Sequence, residues 1–289
     1  MRNILILLIS SIFSLNIWAA KPEQITIGFI PAGPSNEFKA KGLEFAELVQ
    51  KELGIPVKVF IPKNYESLVQ AMKDKKVDFA FFTAMTFVHA EKEANAKVLL
   101  RKVWEGRDYY FSSLVVPQNS EIKSLKDIKG KSIAYVDKDS TSGFLYPSLA
   151  LKDQGLDPQS SFSKVIFSGN HKKSVLDLED GKAEVAAMFA ADKEGKTGAW
   201  THLFDKGKQM RAIWVSKPIP SDPFCVRNDF YEKHPNVAHD FMFFLKDISS
   251  AKNSNHPLKK LLDVDKVKLA TSKQYDPVRE MVKKLNIKL

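Results

Sequence analysis

Between Ile25 and Ala96 the apolar residues switch repeatedly between two spacings, and this alternation restricts the fold more than any other feature of the chain. Ile25-Thr26-Ile27-Gly28-Phe29-Ile30 alternates and is rich in β-branched residues, so it reads as a strand. From Glu37, the positions Phe38, Leu43, Phe45, Ala46, Val49 and Leu53 suit a helix, which Gly54 stops. Residues 57–61 read as a second strand, and residues 65–73, with Leu68, Val69 and Met72 on one face, as a second helix. Val77-Asp78-Phe79-Ala80-Phe81-Phe82 is a third strand and residues 84–96 are helical again. Strands that alternate with helices at this pace imply a parallel sheet with helices on both faces.

The pattern then changes. Residues 98–104 and 109–116 are two strand-like runs with little helix between them, and residues 117–129 are polar and turn-rich. A second series opens with Ser132 to Val136. It contains a helix ending near Asp153, a strand at 164–167, a helix through Val175, Leu176 and Leu178, and a strand at 184–189. Two α/β units in tandem are the simplest interpretation. In that arrangement residues 110–116 are the outgoing crossover. Residues 211–215 are the return, followed by the breaker-rich Pro218-Ile219-Pro220-Ser221-Asp222-Pro223. The tail, residues 229–245 and 259–289, reads as helical and is expected to pack back on the first unit.

Residues 1–20 read as a secretory signal peptide: Arg2 starts it, an apolar run follows from Ile4 to Ile17, and Ala19 and Ala20 close it. The run is short for a membrane span, and no cysteine near it could carry a lipid. About 270 residues remain, room for two domains. Cys225 is the single cysteine, so an exported form relies on its cores rather than on an intrachain disulfide, which suits a periplasm. Lys+Arg 44 against Asp+Glu 34 gives a net charge of +10, but the lysines are scattered beside acids, as in Lys73-Asp74-Lys75-Lys76. No basic block with interleaved aromatics appears, which argues against nucleic acid.

The chemistry concentrates in Asp139-Ser140-Thr141-Ser142-Gly143-Phe144-Leu145-Tyr146-Pro147, directly after the strand Ile133-Ala134-Tyr135-Val136. Ser140 can cap a helix start by accepting a free backbone N–H. The same turn, with the hydroxyls of Thr141 and Ser142 turned outward, could hold a small oxyanion at the positive end of the helix. From the stretch alone a capped helix without a ligand is the plainer interpretation.

Six features, in order and spacing, resemble one family. They are Asn64-Tyr65-Glu66, Val77-Asp78-Phe79-Ala80, Tyr110-Phe111-Ser112-Ser113, Ser140-Thr141-Ser142-Gly143 with Pro147, Gly169-Asn170-His171, and Pro220-Ser221-Asp222-Pro223. Residues 25 to about 250 resemble the phosphate/phosphite/phosphonate solute-binding proteins of ABC importers, a branch of the type II periplasmic binding proteins. The resemblance implies an α/β fold of two lobes joined by two crossover strands, with the ligand in the cleft. It places residues 21–114 and 221–289 in one lobe and residues 115–220 in the other. It implies that Ser140, Thr141, Ser142, His171, Tyr65 and Tyr110 hold the oxyanion, with affinity made pH-sensitive by His171. Asp222 would face the ammonium of an aminoalkyl ligand together with a second acid, which here is absent or displaced to Asp192, and Thr83-Ala84 stands where the family often has glycine-proline. Phosphate, phosphite and other phosphonates therefore stay open.

Rival classes are fewer. Asp137-Lys138-Asp139-Ser140-Thr141 spells the DxDxT signature of Mg-dependent haloacid-dehalogenase-type phosphotransferases, but no paired-acid metal motif accompanies it at a later strand end. Six scattered histidines and one cysteine show no metal-ligand spacing, and no nucleophile elbow occurs. A ligand-binding module for a membrane sensor or chemoreceptor would share every feature above. The expectation is a periplasmic, monomeric, non-enzymatic binding protein without cofactor or metal, whose partners are a small oxyanion and an importer permease.

Overall fold

β1 (Ile25–Phe29) buries Ile25, Ile27 and Phe29 completely, and pairs in parallel with β2 (Val57–Phe60) on one side and β3 (Phe79–Phe81) on the other. The computed structural model describes residues 21–30, 35–204, 209–250 and 256–289. The expected signal peptide and residues 31–34 lie outside the described residues. The connecting helices are α1 (Ser35–Leu53), α2 (Tyr65–Lys73) and α3 (Ala84–Ala94). They begin where the chain supplies caps. Asn64 accepts the Ser67 N–H at 2.9 Å to start α2, and Thr83 and Thr86 form a reciprocal capping box at α3.

β4 (Ala96–Val103) belongs to the same sheet, but β11 (Pro223–Arg227) comes between it and β3, antiparallel to both. β12 (Lys266–Leu269) pairs with the outer edge of β4, giving the order β12-β4-β11-β3-β1-β2. α7 (Asn228–Lys233), α8 (Pro235–Ser250) and α9 (Pro257–Leu262) follow β11, and α10 (Asp276–Lys284) ends the described elements. A phenylalanine core closes one face of this sheet: Phe79 stacks on Phe224 at 5.7 Å and meets Phe241 edge-on at 5.0 Å.

The second sheet runs β10-β5-β8-β6-β7. It is built from β5 (Tyr109–Pro117), β6 (Ser132–Tyr135), β7 (Lys164–Phe167), β8 (Val185–Ala190) and β10 (Ile219–Pro220), with β9 (Met210–Val215) also paired to β5. β6 lies between β7 and β8 in parallel, with α4 (Tyr146–Asp153) and α5 (His171–Glu179) returning the chain, and α6 (Ala199–His202) follows β8.

The chain crosses between the sheets at residues 104–108 and again at 221–222. The first crossing lies earlier than residues 110–116, and the second later than 211–215, because both of those runs are strands of the second sheet. The break falls instead at a tight turn: Trp104 and Arg107 exchange backbone bonds around Glu105 (φ 49°) and Gly106 (φ 74°). The Ser221 N–H donates to the Asp108 carbonyl at 3.1 Å, so the two crossings are tied side by side. The tail departs from the expected helix at β12, where Lys266-Val267-Lys268-Leu269 takes the free edge of β4. Tyr275, in the 3-10 turn before α10, donates its hydroxyl to the Ser221 carbonyl at 3.0 Å and so packs the tail against the return crossing.

Candidate functional site

The turn after β6 is a single wide π turn over Thr141–Leu145 that runs directly into α4. Ser140 caps it: its Oγ accepts the Gly143 N–H at 3.0 Å, while its carbonyl accepts from both Phe144 and Leu145. Ser112, on β5, donates its Oγ to the Ser142 carbonyl at 2.6 Å, and Val136 donates its N–H to the Gly143 carbonyl at 3.1 Å. The turn is thus bolted to its own lobe from both sides. N–H groups in the first turn of any helix precede their intrahelical partners, so the segment starting at Thr141 offers donors as well as hydroxyls. Capping and anion-ready geometry coexist here; the sequence posed them as alternatives.

A cavity of about 430 Å³ opens between the two sheets beside this turn. Tyr65, Tyr110, Ser140, Ser142, His171 and Asp222 all line it. Tyr65 comes from the first residue of α2, Tyr110 from β5, His171 from the first residue of α5, and Asp222 from the return crossing. The Tyr65 hydroxyl lies near the Ser140 side chain, so a first-lobe group meets the turn, and the Tyr110 hydroxyl lies near the side chains of Ser142 and Thr141 within the second lobe. Burial raises the pKa of both phenols, and the negative charge of Asp222 adds to the rise, so both keep their protons as donors.

Thr141 does not line the cavity. Its hydroxyl accepts the Met85 N–H at 2.8 Å, at the start of α3 in the other lobe. Asp137 and Asp139 do related work. The Asp137 carboxylate lies near the Tyr65 N–H at the start of α2, and the Asp139 carbonyl accepts from the Thr83 hydroxyl at 3.5 Å. The three residues of the DxDxT pattern therefore form a seam between the lobes. A spacing of two residues, which in a phosphotransferase would place nucleophile and acid on one side of a loop, here presents three successive partners to the ends of α2 and α3. Leu145 and Tyr146 reinforce the seam by packing into the first-lobe core with Tyr275 and Ile219.

His171 accepts the Phe189 N–H through Nδ1 at 3.4 Å, and its ring meets Phe189 edge-on at 5.1 Å. Burial pulls its pKa down to about 4. The ring is therefore neutral near pH 7, with Nδ1 taken by the Phe189 N–H and its hydrogen on Nε2. Asp222 is a further titratable group lining the cavity. Burial pushes its carboxyl up to about 6 against the pull of Lys102, and its Oδ1 is buried with no hydrogen-bond partner among the described residues. Asp192 is elsewhere: its carboxylate accepts from the Lys196 and Thr197 N–H groups and from the Thr197 hydroxyl, shaping its own loop. No second acid from that loop faces the cavity among the described residues.

Sequence reasoning missed Ser112, Trp104, Phe189 and His202. Ser112 stood within the Tyr110-Phe111-Ser112-Ser113 feature, but its bond to the Ser142 carbonyl depends on a turn 30 positions away. The other three line the cavity from segments distant in sequence, and only Trp104, next to the Glu105-Gly106 turn, stood where a crossing could have been suspected.

A family model described as an ABC transporter, phosphonate, periplasmic substrate-binding protein matches residues 27–275. The "Phosphonates-binding periplasmic protein" of Escherichia coli (strain K12) is 28% identical over 224 residues, covering 76% of this chain and 65% of that protein's own length. The "Phosphate-import protein PhnD" of Mycolicibacterium smegmatis is 29% identical over 221 residues, covering 72% of this chain and 67% of that protein. Among solved structures, PhnD1 from Prochlorococcus marinus (MIT 9301) in complex with methylphosphonate superposes with a TM-score of 0.77 at 21% identity, over 92% of this chain and 99% of that one, a likeness of fold.

Proposed function

The chain belongs to the periplasmic substrate-binding proteins of phosphonate ABC transporters, and from that premise we propose that it captures a phosphorus oxyanion in the cleft between its lobes and delivers it to an importer permease. The observation that carries this reading is the convergence of Tyr65, Tyr110, Ser140, Ser142 and His171 on one interlobe cavity. A tetrahedral oxyanion needs donors from several directions, and hydroxyls, an imidazole N–H and the N–H groups of a helix start provide them without a buried cation. No chemistry on the ligand is required of these groups. In this reading the lobes meet at the crossings 104–108 and 221–222, residues 1–20 direct export, and the protein works as a monomer. Ligand bridging the lobes favours the closed form in proportion to its tighter binding there. Ser140 and Ser142 hold the oxyanion from the second lobe and Tyr65 from the first, while Thr141 joins the lobes without touching ligand.

Ser142→Ala and His171→Ala are each expected to weaken methylphosphonate or phosphate binding by about 10- to 100-fold, the range for losing one hydrogen bond to a charged group. Titration calorimetry reads this, with circular dichroism checking the fold. Wild-type affinity in both variants would remove the proposed site.

Asp222 makes a pH prediction. An ionised carboxylate beside the oxyanion repels it, whereas one proton shared between Asp222 and a ligand oxygen turns the contact into a hydrogen bond. Affinity should therefore fall by about tenfold per unit as pH rises above the pKa values of both groups. Asp222→Asn supplies a permanent N–H donor and should flatten that slope between pH 7 and 9. An equally steep slope in the variant would take Asp222 out of the oxyanion contact.

A further inference from the structure

We infer that the cleft holds a second subsite, an aromatic wall of Trp104, Phe189 and His202, which takes a flat, uncharged hydrocarbon substituent of the ligand and makes an arylphosphonate the preferred class. The inference rests on the oxyanion reading above and specifies what the oxyanion is attached to.

Size comes first. A tetrahedral oxyanion displaces on the order of 100 Å³, or about three waters at roughly 30 Å³ each. The cavity of about 430 Å³ leaves most of its space beyond such a head group. The walls of that space are chiefly apolar, with Phe38, Phe81, Phe224, Leu261 and Val264 among them.

Connectivity comes next. His171 lines the cavity with the oxyanion donors and touches Phe189. Phe189 in turn meets Trp104 edge-on at 5.8 Å, and Trp104 meets the His202 ring at 4.7 Å. Rings from both lobes therefore continue from the oxyanion end, since Trp104 follows β4 of the first sheet while Phe189 lies on β8 of the second. The Trp104 indole is fixed by its Nε1–H, which donates to Asp263 Oδ2 at 2.9 Å, and it is almost fully buried. A fixed indole beside an open apolar volume favours a flat or hydrocarbon group by area burial and ring contact.

Charge then decides against an ammonium. Apart from Asp222, the acids lining the cavity are already engaged: Asp263 holds Trp104, and Glu37 pairs with Lys41 at 2.9 Å. Asp192 is committed to its own loop. Arg101, Lys102 and Lys172 line the same cavity, so an ammonium would meet like charge there, while Asp222, the acid left unpartnered among the described residues lining it, is assigned above to the oxyanion.

The test is calorimetric titration of the purified protein with phosphate, methylphosphonate, phenylphosphonate and 2-aminoethylphosphonate. Phenylphosphonate is expected to bind at least tenfold more tightly than the other three. Trp104→Ala should cut phenylphosphonate affinity at least tenfold more than methylphosphonate affinity, and Phe189→Leu should act in the same direction if the first variant folds poorly. Tightest binding of phosphate, methylphosphonate or 2-aminoethylphosphonate would overturn the subsite while leaving the oxyanion reading intact, as would equal losses for all ligands in Trp104→Ala. No binding of any of the four would overturn the oxyanion reading itself and the subsite with it.

Discussion

Gly143→Ala is expected to lower stability by about 3 kcal/mol, the upper range for forcing an atom into a packed site, and to abolish ligand binding. A methyl group on Gly143 would lie 2.4 Å from both Cβ and Cγ2 of Val136 and 2.8 Å from Ser140 Oγ. Val136 is wholly buried at the end of β6, and its Cβ is attached to backbone, so it cannot swing aside. Ser140 Oγ is the atom that caps the turn. Either the strand shifts or the turn opens, and both scatter the oxyanion donors. The requirement is for space, since no left-handed backbone angle is involved. Gly28 offers a contrast, because its added Cβ would meet chiefly the flexible end of Leu68. At about 2–4 °C per kcal/mol for a protein of this size, Tm should fall by roughly 6–12 °C. A melting scan together with a methylphosphonate titration checks both halves, and a variant with unchanged Tm and affinity would mean that the turn does not close on Val136 as described.

The lobes were legible because their elements announce themselves locally. The strand β1 alternates, Asn64 and Asn170 stand at helix starts as caps, and the run from Ser140 to Gly143 combines cap and turn residues after an apolar strand. Each is a short-range pattern, and each formed where its residues favour it. The crossings were harder to place. β5 is a largely buried strand whose sequence gives no hint of the sheet it joins, and its pairing with β8, β9 and β10 is decided by residues at least 70 positions away. β12 was read as helix because four alternating residues sit between genuinely helical stretches, and only the unfilled edge of β4 makes them a strand.

The site divides in the same way. Ser140, Ser142 and His171 belong to a turn and a helix start that can be recognised from neighbours in the chain. The work of Thr141 cannot be, because its partner is the Met85 N–H at the start of α3, in the other lobe. The pattern Asp137, Asp139, Thr141 also spells a phosphotransferase signature in one dimension, though without its accompanying metal motif. The contacts of Asp139 with Thr83 and of Thr141 with Met85 exist only once the lobes face each other. The aromatic wall depends still more on tertiary structure, since Trp104 and Phe189 come from different sheets.

That seam leads to the second large effect: Asp139→Asn is expected to stabilise the protein at pH 8 by about 2 kcal/mol and to give no gain at pH 4. The Asp139 side chain is only 15% exposed, and it faces Asp137 and Lys138 on its own loop, Glu66 of α2, and His89 of α3 at 3.8 Å. Burial first, then the charges of Asp137 and Glu66, push its carboxyl up to about 7. Burial in turn lowers the His89 pKa, so the imidazole is neutral when Asp139 ionises and offers it no counter-charge. In the unfolded chain Asp139 regains an ordinary value near 3.9. The folded form therefore binds one more proton than the unfolded form between about pH 4 and pH 7, and stability falls with rising pH across that window. A shift of this size corresponds to roughly 4 kcal/mol if Asp139 titrated alone, and sharing protons with Asp137 reduces that to about half. An amide keeps the shape of the protonated carboxyl and removes the penalty, so the gain appears only where the acid would be charged. Because the seam forms when the lobes meet, the variant should also hold a larger fraction of ligand-free molecules closed at pH 8. A smaller radius of gyration in solution scattering would show this. Destabilisation of the variant at pH 4 and pH 8 alike would mean that the Asp139 carboxylate is a charged partner in the seam instead of a buried acid.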